Sequence, residues 1–229
     1  MLEFLLALAV FLSAHVLPSR TGLRAGLVAQ LGERTYLIGY SLLSLALLAW
    51  LIVAAIRAPV VPLWAASLDH YRAALVLMLP ACMLMVGGAA SPNPLSVSFT
   101  SAGYDPTAPG LVGVTRHPLL WGFALWALAH ILANGELVPL IMFGGFGLFA
   151  LTGMTIVDRR KRRQLGPEWE RLAAPTSALP FAAWFRHPAA RRWRSGGAVM
   201  TLVGGTALYL ALLWLHPRVI GPDPAAVLL

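Results

Sequence analysis

Residues 137–163 read LVPLIMFGGFGLFALTGMTIVDRRKRR. The first twenty-one carry no charge, and the next six hold one aspartate followed by five cations. At 1.5 Å per residue, twenty-one helical residues reach about 31 Å, close to the hydrocarbon thickness of a bilayer. A basic run directly behind such a stretch marks the cytoplasmic end of a membrane span. This stretch therefore predicts a spanning helix from Leu137 to Val157, with its arginines in the aqueous phase.

The pattern recurs along the chain. Apolar stretches lie at about Leu2–Leu17, Tyr36–Ile56, Tyr71–Ala90, Pro118–Ala133 and Ala198–Leu215, making six spans in all. The first resembles a secretory leader in length, yet Glu3 stands where a basic head would be and no small-x-small site precedes Arg20, so it reads as a retained span. Of 229 residues, 59% are hydrophobic and only 11% charged, at a mean hydropathy of +0.74. Soluble domains carry about 25% charged residues, so the fold class predicted is an all-α polytopic membrane bundle forming one domain over 1–229. A formal charge of +8 would raise the question of nucleic acid in a soluble protein. Here the cations sit in the loops between spans, so no nucleic-acid partner is expected.

Loops 18–35, 91–117 and 158–197 hold 14 of the 17 basic residues; Arg57, Arg72 and Arg218 are the others. This partition fits six spans with the three basic loops on the cytoplasmic side and both termini on the opposite side. Loop 91–117 is punctuated by Pro92, Pro94, Gly103, Pro106, Pro109 and Gly110, which predicts irregular chain folded over that face. In the basic loop 158–197, Leu165, Trp169 and Leu172 recur at helical spacing among charges. They predict an amphipathic helix at the membrane surface, interrupted at Gly166-Pro167.

Ionisable groups inside a span need a partner or a purpose. His15 lies late in the first span and His130 near the end of the fourth. Neutral imidazole is a ligand for haem iron or another transition metal, and it is equally at home hydrogen-bonded to a neighbouring carbonyl. Counted from the basic boundaries, His15 is 5 to 9 residues deep and His130 is 14, so the two rings start at different depths. The single cysteine, Cys82, excludes an intrachain disulfide and reads as a small apolar filler. Ligand spacing for zinc, nucleophile motifs and phosphate-binding loops are all missing, so hydrolase and nucleotide-driven readings fall away.

The densest pattern is Thr115-Arg116-His117-Pro118-Leu119-Leu120-Trp121-Gly122, followed by Ala129-His130. Pro118 suits the first helical position, which places Arg116 and His117 at the cytoplasmic interface, where anionic groups are found, and lipid-headgroup anchoring alone accounts for them as well. Asp158-Arg159-Arg160 continuing to Gly166-Pro167-Glu168-Trp169-Glu170-Arg171 is the second dense feature, and a solvated, topology-setting face accounts for it equally well.

With these residues quoted, the chain resembles the NnrU family of multi-pass membrane proteins, whose relatives include 15-cis-zeta-carotene isomerase. Ala14-His15 with Leu23-Arg24, Arg116-His117-Pro118 with Trp121-Gly122, Trp126 and Ala129-His130, and Asp158-Arg159-Arg160 with Gly166 and Glu168 carry the resemblance. It implies a b-type haem on two histidines, at positions matching His15 and His130, with His117 as an alternative ligand or a residue on the substrate side. It also implies a bacterial inner-membrane location and an association with nitrogen-oxide metabolism, including nitrite or nitric oxide reductase machinery. In the isomerase reading, a lipophilic polyene would lie in an apolar slot lined by Trp121, Phe123, Trp126 and Phe146.

Two rival readings stand beside it. Membrane methyltransferases carry a similar Arg-His-Pro-x-x-x-Gly and a later Gly-x-Glu-aromatic segment, which would set Arg116, His117, Glu168 and Arg171 around S-adenosylmethionine. A non-enzymatic accessory protein for reductase maturation would need neither haem nor that cofactor.

Overall fold

The computed structural model describes residues 1–194 and 196–228. Ser195, within the expected basic loop, and Leu229, at the end of the expected single domain, lie outside the described residues. Among the described residues nine α-helices follow one another: α1 Leu2–Arg20, α2 Leu23–Leu31, α3 Glu33–Arg57, α4 Leu68–Ala90, α5 Leu111–Val114, α6 Pro118–Asn134, α7 Leu137–Leu165, α8 Glu168–Ala173 and α9 Gly197–Val219. Each of the six apolar stretches lies inside one of them.

Helices α3, α4, α7 and α9 are long and apolar enough to cross a bilayer. Helices α1 and α2 make a fifth span only when that bent pair is counted as one. Helix α6, with 17 residues, reaches about 26 Å and falls short of the 30 Å core. Among the described residues, length and composition thus support four to five spans, against the six expected from the sequence. Only 11% of the most apolar window of α3 is buried inside the protein, so lipid is the medium that covers it. The chain is a multi-pass helical membrane protein.

The contacts divide the molecule into two compact units, Met1–Leu63 with Glu136–Met142, and Trp64–Gly135 with Phe143–Leu229. In the first, α1 packs on α3, and α2 occupies residues expected to be loop. Its polar Arg24 and Gln30 hide a helix-forming sequence from a hydropathy reading. Gly32, at φ 79, separates α2 from α3 in a conformation that suits only glycine well.

In the second unit α4 is the central helix, flanked by α6 and α9. Ser67 caps it reciprocally: the Ser67 hydroxyl accepts from the His70 N–H, while the Ser67 N–H donates to His70 Nδ1. Small residues let the helices close. A Cβ on Gly88 would fall 2.5 Å from the Leu119 backbone nitrogen, and one on Gly87 2.7 Å from the Thr201 hydroxyl. Without water between helices, such close backbone packing is the main source of association. These contacts bring the C-terminal end of α4 to the N-terminal ends of α6 and α9. Pro118 opens α6, where its missing N–H leaves nothing unsatisfied.

Over that same end folds the segment 91–117. Leu95 and Val112 form a small core with Trp169 and Ala173 of α8, joined by Tyr104, Leu165 and Leu172. The amphipathic helix is therefore present, with the break at Gly166-Pro167, but its apolar face is spent on loop 91–117. A Trp169 that is 2% exposed has no surface left for lipid, which corrects the expectation of a membrane-surface helix.

Candidate functional site

Three histidines mark the candidate positions, and the structure treats them in two ways. His15, in α1, lies half-buried with Nδ1 2.7 Å from the Phe11 carbonyl oxygen. His130, in α6, repeats this one turn after Trp126, with Nδ1 2.8 Å from that carbonyl. A carbonyl only accepts, so in each neutral ring Nδ1 carries the hydrogen and Nε2 keeps its lone pair. A metal-ligating imidazole is oriented in this same manner, by a hydrogen bond from its far nitrogen. Each histidine, taken singly, thus fits the donor chemistry of a haem ligand.

Their surroundings are aromatic. The His15 ring lies 4.4 Å from Phe11 and 5.8 Å from Tyr40, centroid to centroid. An open cleft of about 390 Å³ is lined by Phe11, His15, Tyr40, Ser41, Ser44, Leu45 and Leu48, within the size range of small-ligand sites. The Tyr40 hydroxyl donates to the Ala14 carbonyl at 3.4 Å, and Ser44 to the Tyr40 carbonyl at 2.8 Å. In the other unit His130 packs against Trp126 at 5.0 Å and Phe143 at 4.6 Å, and Trp126 stacks on Phe146 at 6.0 Å. Phe123 reaches the same cluster through Trp126. Trp121, expected in that apolar slot, instead donates its indole N–H to the Ala178 carbonyl at 2.8 Å.

His117 is placed differently. It is wholly buried, with Nδ1 2.7 Å from the Ser96 hydroxyl and Nε2 3.0 Å from Asp158 Oδ1. Neither Nε2 nor Oδ1 has another hydrogen-bond partner among the described residues. Arg116 holds the second oxygen of Asp158 at 2.6 Å, and its Nε donates to the Thr176 hydroxyl at 2.9 Å. The guanidinium also lies over the Trp169 ring at 5.0 Å. Asn93 closes the cluster by donating to the Arg116 carbonyl at 3.0 Å. Asp158 lies just past the apolar span that ends at Val157. Burial opposes its ionisation, but the hydrogen bond from His117 and the Arg116 charge outweigh burial and hold the carboxyl below its ordinary range.

The Arg-His pair thus pins loop 91–117 and the chain around Thr176 to the end of α7. Both nitrogens of His117 are engaged, so the ring offers no lone pair to a ligand in this arrangement. Arg116 is likewise committed, while Glu168 and Arg171, the other two residues of the methyltransferase reading, pair with each other at 2.7 Å. Sequence reasoning singled out Asp158 as the head of a basic face and missed it as the partner of Arg116 and His117. A lone carboxylate ahead of five cations was the available signal. Ser96, Thr176 and Tyr40 had none, being common residues in unremarkable surroundings.

A family model described as NnrU protein matches residues 3–224. The chain is similar to 15-cis-zeta-carotene isomerase, chloroplastic, of Arabidopsis thaliana, at 37% identity over 76 residues. That match covers 33% of this chain and 21% of the relative. It is also similar to the Zea mays protein of the same name, at 38% over 74 residues, covering 32% of this chain and 20% of the relative. The matched stretches span about a fifth of the length of these curated relatives. No solved structure gives a significant match. With nearly the whole length covered by the family model, the chain belongs to the NnrU family.

Proposed function

We propose that this protein is a haem-binding membrane protein of isomerase type, acting on a lipophilic polyene, in which His15 and His130 are the residues that would hold a b-type haem. The observation that carries the reading is the shared tautomer. Both histidines tie Nδ1 to the carbonyl one turn back and leave Nε2 as a bare donor nitrogen. When bound, haem iron supplies one-electron or Lewis-acid chemistry in a medium that excludes water. The chain's own part is to orient each imidazole by its backbone acceptor and to surround it with apolar rings. It also provides, beside His15, a cleft where the Tyr40 hydroxyl and the Ser41 and Ser44 side chains are the polar lining. The printed name of the two plant relatives supports a polyene as substrate, and a setting in nitrogen-oxide metabolism is what the resemblance to the NnrU family implies. We place the protein in a bacterial inner membrane with the basic end of the second unit cytoplasmic. The gathering of Arg116, the cations of α7 and the start of α9 at one end supports that orientation.

The test is the absorption spectrum of the detergent-purified full chain, oxidised and dithionite-reduced, beside His15→Ala and His130→Ala. A Soret band that shifts on reduction and is lost in both variants is the expected result. A colourless protein after expression with haem supplied refutes the reading. Proteoliposomes loaded with a cis-polyene then test the reaction through the absorption change on isomerisation, which His15→Ala should abolish.

A further inference from the structure

The chain between Ser177 and Arg192 is tied at one level of the molecule. The Arg116 N–H donates to the Ser177 carbonyl at 2.7 Å, and the Thr115 hydroxyl and Trp121 indole to the Ala178 carbonyl at 3.1 and 2.8 Å. The Phe181 N–H donates to the Val114 carbonyl at 2.7 Å. All four anchors lie within residues 114–121, where apolar α6 begins, and α9 begins at Gly197 beside the same end of α4. The segment therefore sits where hydrocarbon gives way to headgroups.

At that level it turns large apolar side chains outward. Leu179 is 65% exposed, Phe181 48% and Phe185 81%. Phe181 is the one non-glycine residue with positive φ among those described, at 62°, a conformation that disfavours bulky side chains. Strain of this kind persists only where the surroundings hold it, and the N–H bond to Val114 supplies the hold. After these residues in the chain come exposed Arg186, Arg191 and Arg192, and residues 174–194 contain no carboxylate. None of the three arginines forms an ion pair among the described residues. Arg186 donates Nε to the Ala182 carbonyl at 3.1 Å and Arg191 donates Nε to the Trp184 carbonyl at 2.7 Å, and both residues are exposed. Trp184 Nε1 and His187 Nδ1, buried in the same turn, have no hydrogen-bond partner among the described residues.

We infer that residues 179–192 are an interfacial anchor that selects anionic phospholipid. Leu179, Phe181 and Phe185 enter the boundary between acyl chains and headgroups, while Arg186, Arg191 and Arg192 hold phosphate oxygens through their guanidinium forks. Guanidinium matches phosphate geometry in two-point contact, and exposed aromatic residues beside basic ones are the composition of segments that lie in the membrane surface. Helix α8, whose apolar face is already covered, does not compete for this role.

The test uses the full chain in nanodiscs of phosphatidylcholine with 30 mol% phosphatidylglycerol. A nitroxide at Phe185→Cys, with buried Cys82 left in place, should be more accessible to oxygen than to a water-soluble nickel chelate. The opposite order would put the ring in water, assign the surface to a soluble partner and overturn the inference. The second readout is retention of phosphatidylglycerol over phosphatidylcholine through detergent washing. Three arginines at an anionic surface predict a preference of about tenfold or more. Arg186→Gln/Arg191→Gln/Arg192→Gln should bring it near parity, whereas Arg159→Gln/Arg160→Gln/Arg163→Gln, removing equal charge from α7, should leave it in place. Equal retention in the wild type, or equal loss in both triple variants, would overturn selection by this segment.

Discussion

Asp158→Asn offers the sharpest test of the buried cluster. The Arg116–Asp158 contact is 2.6 Å, with side chains 14% and 25% exposed. At an effective dielectric of 20, two unit charges at that distance attract by about 6 kcal/mol gross. Desolvation of both ions offsets most of this, so the intact pair contributes little net. Removing one partner is costly because the other charge stays buried, which sets the expected destabilisation at about 3 kcal/mol. Arg116→Gln should cost a similar amount by stranding Asp158. The double variant leaves no unpaired charge, so its loss should fall short of the sum by about 2 kcal/mol or more. Reversible unfolding in mixed detergent–SDS micelles measures all four proteins, and the His117 contact, absent from both Asp158 variants, cancels in the cycle. Losses that add to within about 0.5 kcal/mol would show that the two side chains are not energetically coupled and refute the account.

Other consequences follow from named contacts. Because Asp158 has a folded pKa below its unfolded value, its stabilisation is fully present above the ordinary carboxylate range and is lost as pH falls through the folded value. Midpoints measured from pH 6 to 3 should decline more steeply in the wild type than in Asp158→Asn. Tyr104 is shifted the other way, since burial raises its phenol above the usual value. Its contribution is present below about pH 10 and is lost as pH rises through the folded value, so Tyr104→Phe should flatten the alkaline limb of a thermal-melt series. At neutral pH the same variant loses the 3.1 Å bond to the Leu172 carbonyl and should cost about 1 kcal/mol. Gly88→Ala would place a methyl 2.5 Å from the Leu119 backbone and should destabilise by about 1–3 kcal/mol. Gly144→Ala, with nothing within 4 Å, should be neutral or stabilise by up to about 1 kcal/mol in the same unfolding assay.

Much of the fold was legible in composition and period. Long uncharged runs must become helices in lipid, because no other open structure satisfies backbone groups there. That physics places the helices from Leu2, Tyr36, Tyr71, Pro118, Leu137 and Ala198 within a few residues. Arg116-His117 and the histidines at 15 and 130 stood out for a related reason, ionisable groups being conspicuous in an apolar background. Periodicity also found Leu165, Trp169 and Leu172 on one helical face.

What covers that face was a tertiary matter. An apolar stripe is equally satisfied by lipid or by protein, and only the return of loop 91–117, with Leu95 and Val112, decides for protein. The same holds for polar groups. The tautomers of His15 and His130 follow from local i−4 carbonyls, whereas His117 is taken out of service by Ser96 and Asp158, 21 and 41 residues away in sequence. One-dimensional pattern records what a side chain needs, a medium or a partner. Which partner meets that need depends on chain segments brought together by folding, and sequence separation carries no trace of it.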